Sequence, residues 1–317
     1  MAAAVTADSL SKRYGDTVAL DGISLTVDTG EVFALVGPNG AGKTTLVRSL
    51  TGTTTPHSGS VEVLGTTPER TDKESIGLLP QSFQPPERLT ARELLTYYAG
   101  LYDESRPVDD VLADVGLETV DDTWYTNLSG GQQRRVCVGI TLVNDPDLLF
   151  LDEPTTGIDP AGRQSLWSLV ADLSSRGTTV FLTTHYMEEA ETLADRVALM
   201  EDGSVVEVGP PETLVETYGG GTHLRVETTR NAPDVASLDV DAEPTEDGLR
   251  VPDVSPEDIG TVVDTLDRQG VEYESLTWTE PTLEDVYLRL AGDGIGGEDG
   301  DTDGPAVEAV TSGSEQR

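Results

Sequence analysis

Hydrophobic and polar positions alternate with a period of two between residues 5 and 30, most plainly through VALDGISLTVDTG, and the run ends in a turn at Thr29-Gly30. That pattern predicts an antiparallel hairpin. The next stretch, Val32-Phe33-Ala34-Leu35-Val36, is unbroken in its apolar character and reads as a buried strand. Gly37 to Gly42 interrupts the pattern, and Lys43 to Leu50 resumes at helical spacing. GSVEVLG at 59–65 is a further short strand, and Ile76 to Pro80 leads into Gln81. From Ser82 to Asp122 the texture turns helical with proline interruptions. TARELLTYYAGLY and VDDVLADVGL both carry apolar residues three and four apart, which predicts a helical insertion. Its Leu/Tyr/Val stripe is either core or a surface on which a partner helix docks.

The helical run QRRVCVGITLV follows, then Leu148-Leu149-Phe150-Leu151, a strand suited to burial on both faces of a parallel sheet. Arg163 to Ser175 reads as a helix, Thr178 to Thr184 as a strand ending at His185, MEEAETLADRVALM as a helix and SVVEVG as a hairpin. The first unit closes near Tyr218, giving boundaries of 1–217 with a helical subdomain at about 82–145. A smaller unit spans 222–291. HLRVETT, GLRVPDV and VEYESLTW are its strands, and SPEDIGTVVDTLDRQG is an amphipathic helix with Ser255 as N-cap and Gly270 as stop. The remaining 292–317 is rich in Gly, Asp and Glu without period and reads as a disordered, solubilising acidic tail, with an interaction arm as the alternative.

Composition sharpens this picture in three places. The formal net charge is -38, and the lysines are Lys12, Lys43 and Lys73 alone. Because strand and helix periodicity runs through most of the chain, the acidity belongs to a hydrated surface rather than to wholesale disorder. Such a surface suits a halophile-like source, where molar salt shortens the screening length to about 3 Å. It also argues against a nucleic-acid partner, because a chain of this charge without a Lys/Arg cluster repels a polyanion. Cys137 is the single cysteine, so an intrachain disulfide is excluded and a packed thiol in a helix is expected. The first residues lack a long apolar core, and no stretch approaches 18 uninterrupted apolar residues, so a cytosolic chain that does not itself span a membrane is expected.

Chemistry concentrates at five points. Gly37 to Thr44 reads GPNGAGKT, a G-x-x-x-x-G-K-[ST] loop between a strand and a helix. Its glycines let successive N–H groups turn inward, and the helix adds the positive end of its dipole, which together make a phosphate cradle. Lys43 would reach the β- and γ-phosphates, and the Thr44 hydroxyl would ligate Mg²⁺. Asp152 and Glu153 stand at the carboxyl end of an apolar strand, where open α/β sheets bind ligands. Asp152 would hold Mg²⁺ through water, and Glu153 would orient and deprotonate an attacking water. Ser129-Gly130-Gly131 opens a helix and reads either as a cap or as an anion site. His185 ends one strand where Glu153 ends another, which favours a γ-phosphate contact. Tyr14, before Gly15, is open between stacking on an adenine and hairpin packing.

In this order the motifs resemble the ATP-binding cassette family over about residues 5 to 217. Gly37, Pro38, Asn39, Gly40, Ala41, Gly42, Lys43, Thr44 and the following Thr45 resemble a Walker A loop, and Gln81 a Q-loop glutamine. Leu128 to Gln132, LSGGQ, is similar to the family's signature, Leu148 to Glu153 to Walker B, Ile158-Asp159 to a D-loop and His185 to the switch histidine. The resemblance implies a P-loop α/β fold: a mixed, mostly parallel sheet with an antiparallel subdomain and a helical insertion, here followed by a small α+β domain. It also implies ATP and Mg²⁺ as ligands, and Gln81 as a sensor of both beside Glu153 and His185. Tyr14 becomes an adenine-stacking residue. Two cassettes would pair head to tail, identical or not, so that Ser129, Gly130, Gly131, Gln132 and Asp159 of one complete the ATP site of the other. The membrane path would belong to a separate permease subunit, with this chain at the cytoplasmic face. THYMEEAE and TEPTLEDVYLRLAG are similar to the daunorubicin-resistance, ABC-2 branch of exporters. An importer ATPase and a soluble non-transport ATPase of the same family are the alternatives.

Overall fold

The computed structural model describes residues 2–228, 238–245 and 247–293. The alternating N-terminal segment is a long antiparallel pair, β1 (Ala3–Tyr14) and β2 (Thr17–Asp28). Next come β3 (Val32–Val36), α1 (Lys43–Leu50), β4 (Ser58–Val63) and β5 (Ile76–Leu79). The helical stretch holds α2 (Ala91–Ala99), α3 (Val108–Asp114) and α4 (Gly130–Ile140). β6 (Leu148–Asp152), α5 (Pro160–Ser175), β7 (Thr179–Thr184) and α6 (Met187–Leu193) follow, then β8 (Arg196–Glu201), β9 (Ser204–Gly209) and α7 (Pro211–Tyr218). The C-terminal part contains β10 (His223–Thr228), β11 (Glu243–Thr245), β12 (Gly248–Val251), α8 (Ile259–Arg268), β13 (Tyr273–Thr279) and α9 (Leu283–Asp293).

The central sheet runs β5-β6-β7-β3-β8-β9, parallel except at β9. Its inner strands are buried on both faces, which is why they read as unbroken apolar runs. Alternate residues serve opposite cores. Phe181 lies between Phe33 and Phe150, its ring centroid 5.6 Å from each, on the side that also holds α1 and the β2-β1-β4 sheet. Val32, Leu149, Leu151 and Leu182 face the helices on the other side. Helix starts are set by local chemistry: Thr90 and Glu93 form a capping box on α2, and Asp159 caps α5 with Pro160 in its first turn.

Three expectations change. MEEAETLADRVALM is not one helix: α6 stops at Leu193, Ala194 is extended, and the Asp195 carboxylate accepts the Val32 N–H at 2.8 Å, so Arg196–Glu201 enters the sheet beside β3. A four-residue apolar run such as VALM satisfies either period, and sheet pairing decides. Ser255 does not cap α8, which starts at Ile259 after a turn in which the Ser255 hydroxyl donates to Asp258. Gly270 does follow the helix end, at φ +73°. The third change concerns α9. The C-terminal sheet, β11-β12-β10-β13, has its own core with α8, yet α9 buries Leu283 and Val286 in the larger core with Leu214 and Ala190. Part of 222–291 therefore packs with the first unit. Arg250 bridges the two, pairing with Asp285 of α9 at 3.0 Å and Glu243 at 3.2 Å. α9 extends over Gly292 and Asp293, and 294–317 lies outside the described residues. No described helix is long and apolar enough to cross a membrane.

Candidate functional site

The loop from Gly37 to Gly42 leaves β3 and enters α1 under tight steric constraint. A Cβ at Gly37 would collide with the Met200 carbonyl oxygen. Gly42 stands at φ +108°, and a Cβ there would strike the Ala19 carbonyl. No side chain caps α1, which leaves its first-turn N–H groups directed at the loop. Lys43 folds across it: the ammonium donates to the carbonyls of Gly37 at 2.7 Å and Pro38 at 3.0 Å and pairs with Glu153 Oε1 at 3.3 Å. Both partners are buried, at 4% and 5% exposure.

Sheet order brings the carboxylates to this loop. β6, β7 and β3 are neighbours in parallel register, with Asp152 opposite Thr183 and Val36 opposite Thr184, so their carboxyl ends converge. Asp152 Oδ1 accepts from the Thr183 hydroxyl at 2.6 Å and from the Thr44 hydroxyl at 3.3 Å. Glu153 Oε2 accepts from the Thr156 hydroxyl at 3.0 Å and lies 3.2 Å from His185 Nδ1. Burial pushes the Glu153 carboxyl up, but the Thr156 hydroxyl, the Lys43 ammonium and His185 outweigh it and hold it below its ordinary 4.5. At neutral pH it is an anion, the state a proton acceptor requires.

A cavity of about 470 Å³ opens over the loop and is lined by Thr17, Val18, Ala19, Asn39, Gly40, Gly42, Lys43, Thr44, Thr45, Gln81, Glu153, Thr156 and His185. Loop, carboxylate, histidine and Gln81 are thus brought together. A second opening of similar size, beside Gln81, Thr44 and Asp152, adjoins it. Thr44, Asp152 and Gln81 offer hard oxygen donors around one space, a set that fits Mg²⁺ with phosphate oxygens completing it.

Tyr14, Ser129, Gly130, Gly131, Gln132 and Asp159 are not in the cavity wall. Tyr14 is 48% exposed, with the Lys12 ammonium 5.4 Å from its ring centre. Ser129 and Gln132 form a capping box at the start of α4, so the cap reading describes this chain by itself. Asp159 caps α5 through the Gly162 N–H at 2.7 Å. Gly131 and Gly162 nearly touch, which sets the two helix starts side by side. Pro38 contributes its carbonyl to Lys43, and Ala41 is buried in the core.

Several residues around the carboxylates are absent from the sequence reading. Thr156 and Thr183 hold Glu153 and Asp152, and Arg134 donates to the carbonyls of Asp152, Glu153 and Pro154. The paired threonines, Thr183 and Thr184, that end the apolar run Val180–Leu182 are the available signal. Behind them, buried Glu189 accepts from Thr155 at 3.1 Å and the Trp167 indole at 3.0 Å, and burial raises its pKa.

Comparison with known proteins adds independent support. The family model for ABC transporters matches residues 20–156. The Nod factor export ATP-binding protein I of Rhizobium meliloti is 37% identical over 306 residues, covering 91% of this chain and 88% of that protein. The daunorubicin resistance ATP-binding protein DrrA3 of Streptomyces coeruleorubidus is 39% identical over 305 residues, covering 92% and 96%. Among solved structures, cbiO1 from Clostridium perfringens, part of the cbiONQ ABC transporter complex, superposes with a TM-score of 0.60 at 29% identity, covering 68% of this chain and 92% of that one.

Proposed function

The chain belongs to the ABC transporter family as an ATP-binding subunit, and from that premise we propose that it hydrolyses ATP at Lys43 and Glu153 to power an ABC-2-type exporter. The observation that carries the site assignment is the buried Lys43–Glu153 pair, which sets a phosphate-binding ammonium 3.3 Å from an ionised carboxylate at the mouth of one cavity. The export reading draws on the similarity to a Nod factor export protein and a daunorubicin resistance protein, which covers 91% and 92% of this chain and so takes in residues beyond the cassette.

In this reading the loop amides and Lys43 hold the β- and γ-phosphates, and Tyr14 stacks on the adenine. Thr44, Asp152 and Gln81 hold Mg²⁺, which when bound offsets phosphate charge. Glu153 takes a proton from the attacking water as its oxygen bonds to the γ-phosphorus and the bond to the β-phosphate oxygen breaks. His185 steadies that carboxylate and faces the γ-phosphate. Ser129, Gly130, Gly131, Gln132 and Asp159 stand outside this cavity. They act on the nucleotide of a second cassette paired head to tail, most simply another copy of this chain. ATP joins the pair, and hydrolysis releases it. The helical segment 82–145 receives a membrane permease at the cytoplasmic face, and Gln81, between that segment and the cavity, relays nucleotide state to it.

Purifying the tagged chain from gently solubilised host membranes in high salt tests the export reading. Recovery of a polytopic membrane protein alone supports it. A membrane subunit together with an extracellular binding protein would favour the importer, and only soluble partners would overturn transport.

The -38 charge makes a separate prediction, that the fold depends on salt. Screening shortens from about 10 Å at 0.1 M to about 3 Å at 1 M, so self-repulsion across the surface falls steeply over that range. The thermal midpoint by circular dichroism should rise continuously with KCl. A midpoint indifferent to salt would remove the halophile reading.

A further inference from the structure

We propose that Arg134 is a positioning residue for Glu153, clamping the backbone that aims this carboxylate and tying it to the helix that begins at the signature residues. The inference rests on the proposed role of Glu153 as base and of Ser129–Gln132 as the site for a partner's phosphate.

Glu153 has φ +49°, a left-handed conformation that a glutamate rarely adopts and that neighbouring structure must impose. Both sides of the residue are held. Its N–H donates to the Thr183 carbonyl at 3.1 Å and the Thr183 hydroxyl at 3.0 Å, both fixed on β7. Its carbonyl accepts from Arg134 Nη2 at 2.9 Å. The same guanidinium also donates to the Asp152 carbonyl at 3.2 Å and, through Nε, to the Pro154 carbonyl at 2.7 Å. In an extended strand successive carbonyls point in opposite directions, so three in a row can meet one guanidinium only where the chain curls. Arg134 thus stabilises the curl itself. Its planar fork of donors can span three acceptors, whereas a lysine ammonium is a single point. Burial opposes the charge on Arg134, consistent with an arginine enclosed against backbone rather than exposed to solvent.

The arm is carried by α4. Ser129 is the N-cap of that helix and Arg134 lies five residues on, about 7.5 Å along the axis at 1.5 Å per residue. A displacement of the N-terminus of α4 on meeting a partner's nucleotide reaches the Glu153 carbonyl through one side chain. The arrangement makes the aim of the base in this chain depend on the state of the opposite site.

The test compares Arg134→Met, which keeps the unbranched stem, with Arg134→Lys in the full chain, with and without Glu153→Gln. The expected result is a fall in kcat of about tenfold or more for Arg134→Met with MgATP affinity unchanged, and an intermediate fall for Arg134→Lys. In the Glu153→Gln background, Arg134→Met should change the residual rate by less than about twofold, because the effect passes through the missing carboxylate. A merely structural lesion would lower that residual rate by the same factor as in the parent chain, and this would overturn the proposal. Wild-type kcat in Arg134→Met would do so too, as would a parallel loss of ATP affinity. Should Arg134→Met not fold, Arg134→Lys decides, with wild-type kcat counting against the clamp. A Glu153→Gln chain that hydrolyses ATP normally would instead remove the underlying assignment of the base.

Discussion

Replacing Glu153 with glutamine should lower ATP hydrolysis by about 10²–10⁴-fold, the range a positioned general base contributes, while leaving MgATP binding intact. The amide keeps the shape of the side chain and can still meet Thr156 and His185, which lie 3.0 and 3.2 Å from Oε2. What it loses is the charge and the basicity that let the carboxylate take the proton from water. Binding should not weaken, because the substitution also removes a negative charge that would face the phosphates. Phosphate release measured beside equilibrium binding of a fluorescent ATP analogue separates the two effects. Hydrolysis at the parental rate would dismiss Glu153 as the base.

Lys43→Ala should have the opposite signature, with binding failing first. The ammonium satisfies the carbonyls of Gly37 and Pro38 and balances Glu153, with both side chains buried at the floor of the open cavity. Its removal takes the positive charge from the phosphate cradle and leaves a carboxylate buried beside it. In the bound state Lys43 would pair with phosphate, and truncating one partner of a buried, hydrogen-bonded charge pair across an interface costs about 2–5 kcal/mol, or a factor of roughly 30 to several thousand in affinity. The remaining Glu153 should also titrate higher than in the parent, since Lys43 is among the groups that hold its pKa down. Calorimetric titration with MgATP reads the loss directly, and an unchanged affinity would mean that the loop binds phosphate through its backbone alone.

Much of this site could be read from the chain because its motifs are local. Strand, glycine loop and helix are contiguous between Val32 and Leu50, and the left-handed backbone at Gly42 needs a residue without a Cβ. Convergence was harder to foresee. That Asp152 faces Thr183, and that His185 reaches Glu153, follows from β6 and β7 being neighbours, which periodicity does not encode. The same limit hid Arg134, whose partners are backbone carbonyls eighteen to twenty residues away. It also hid β8, where a short apolar run fits helix and strand equally until β3 pairs with it. At α9 the phrase TEPTLEDVYLRLAG carries a family resemblance but does not say which core the helix enters, because an amphipathic face carries no address.

The proposed ATP site is completed by two chains, since Ser129 through Gln132 and Asp159 stand apart from the cavity that holds Lys43 and Glu153. The most direct measurement is the mass of the Glu153→Gln chain by light scattering after gel filtration in molar KCl, with and without saturating MgATP. The expected result is twice the chain mass with MgATP, a single-chain mass without it, and loss of the pairing on adding Ser129→Arg. A single-chain mass with MgATP demonstrably bound would contradict it.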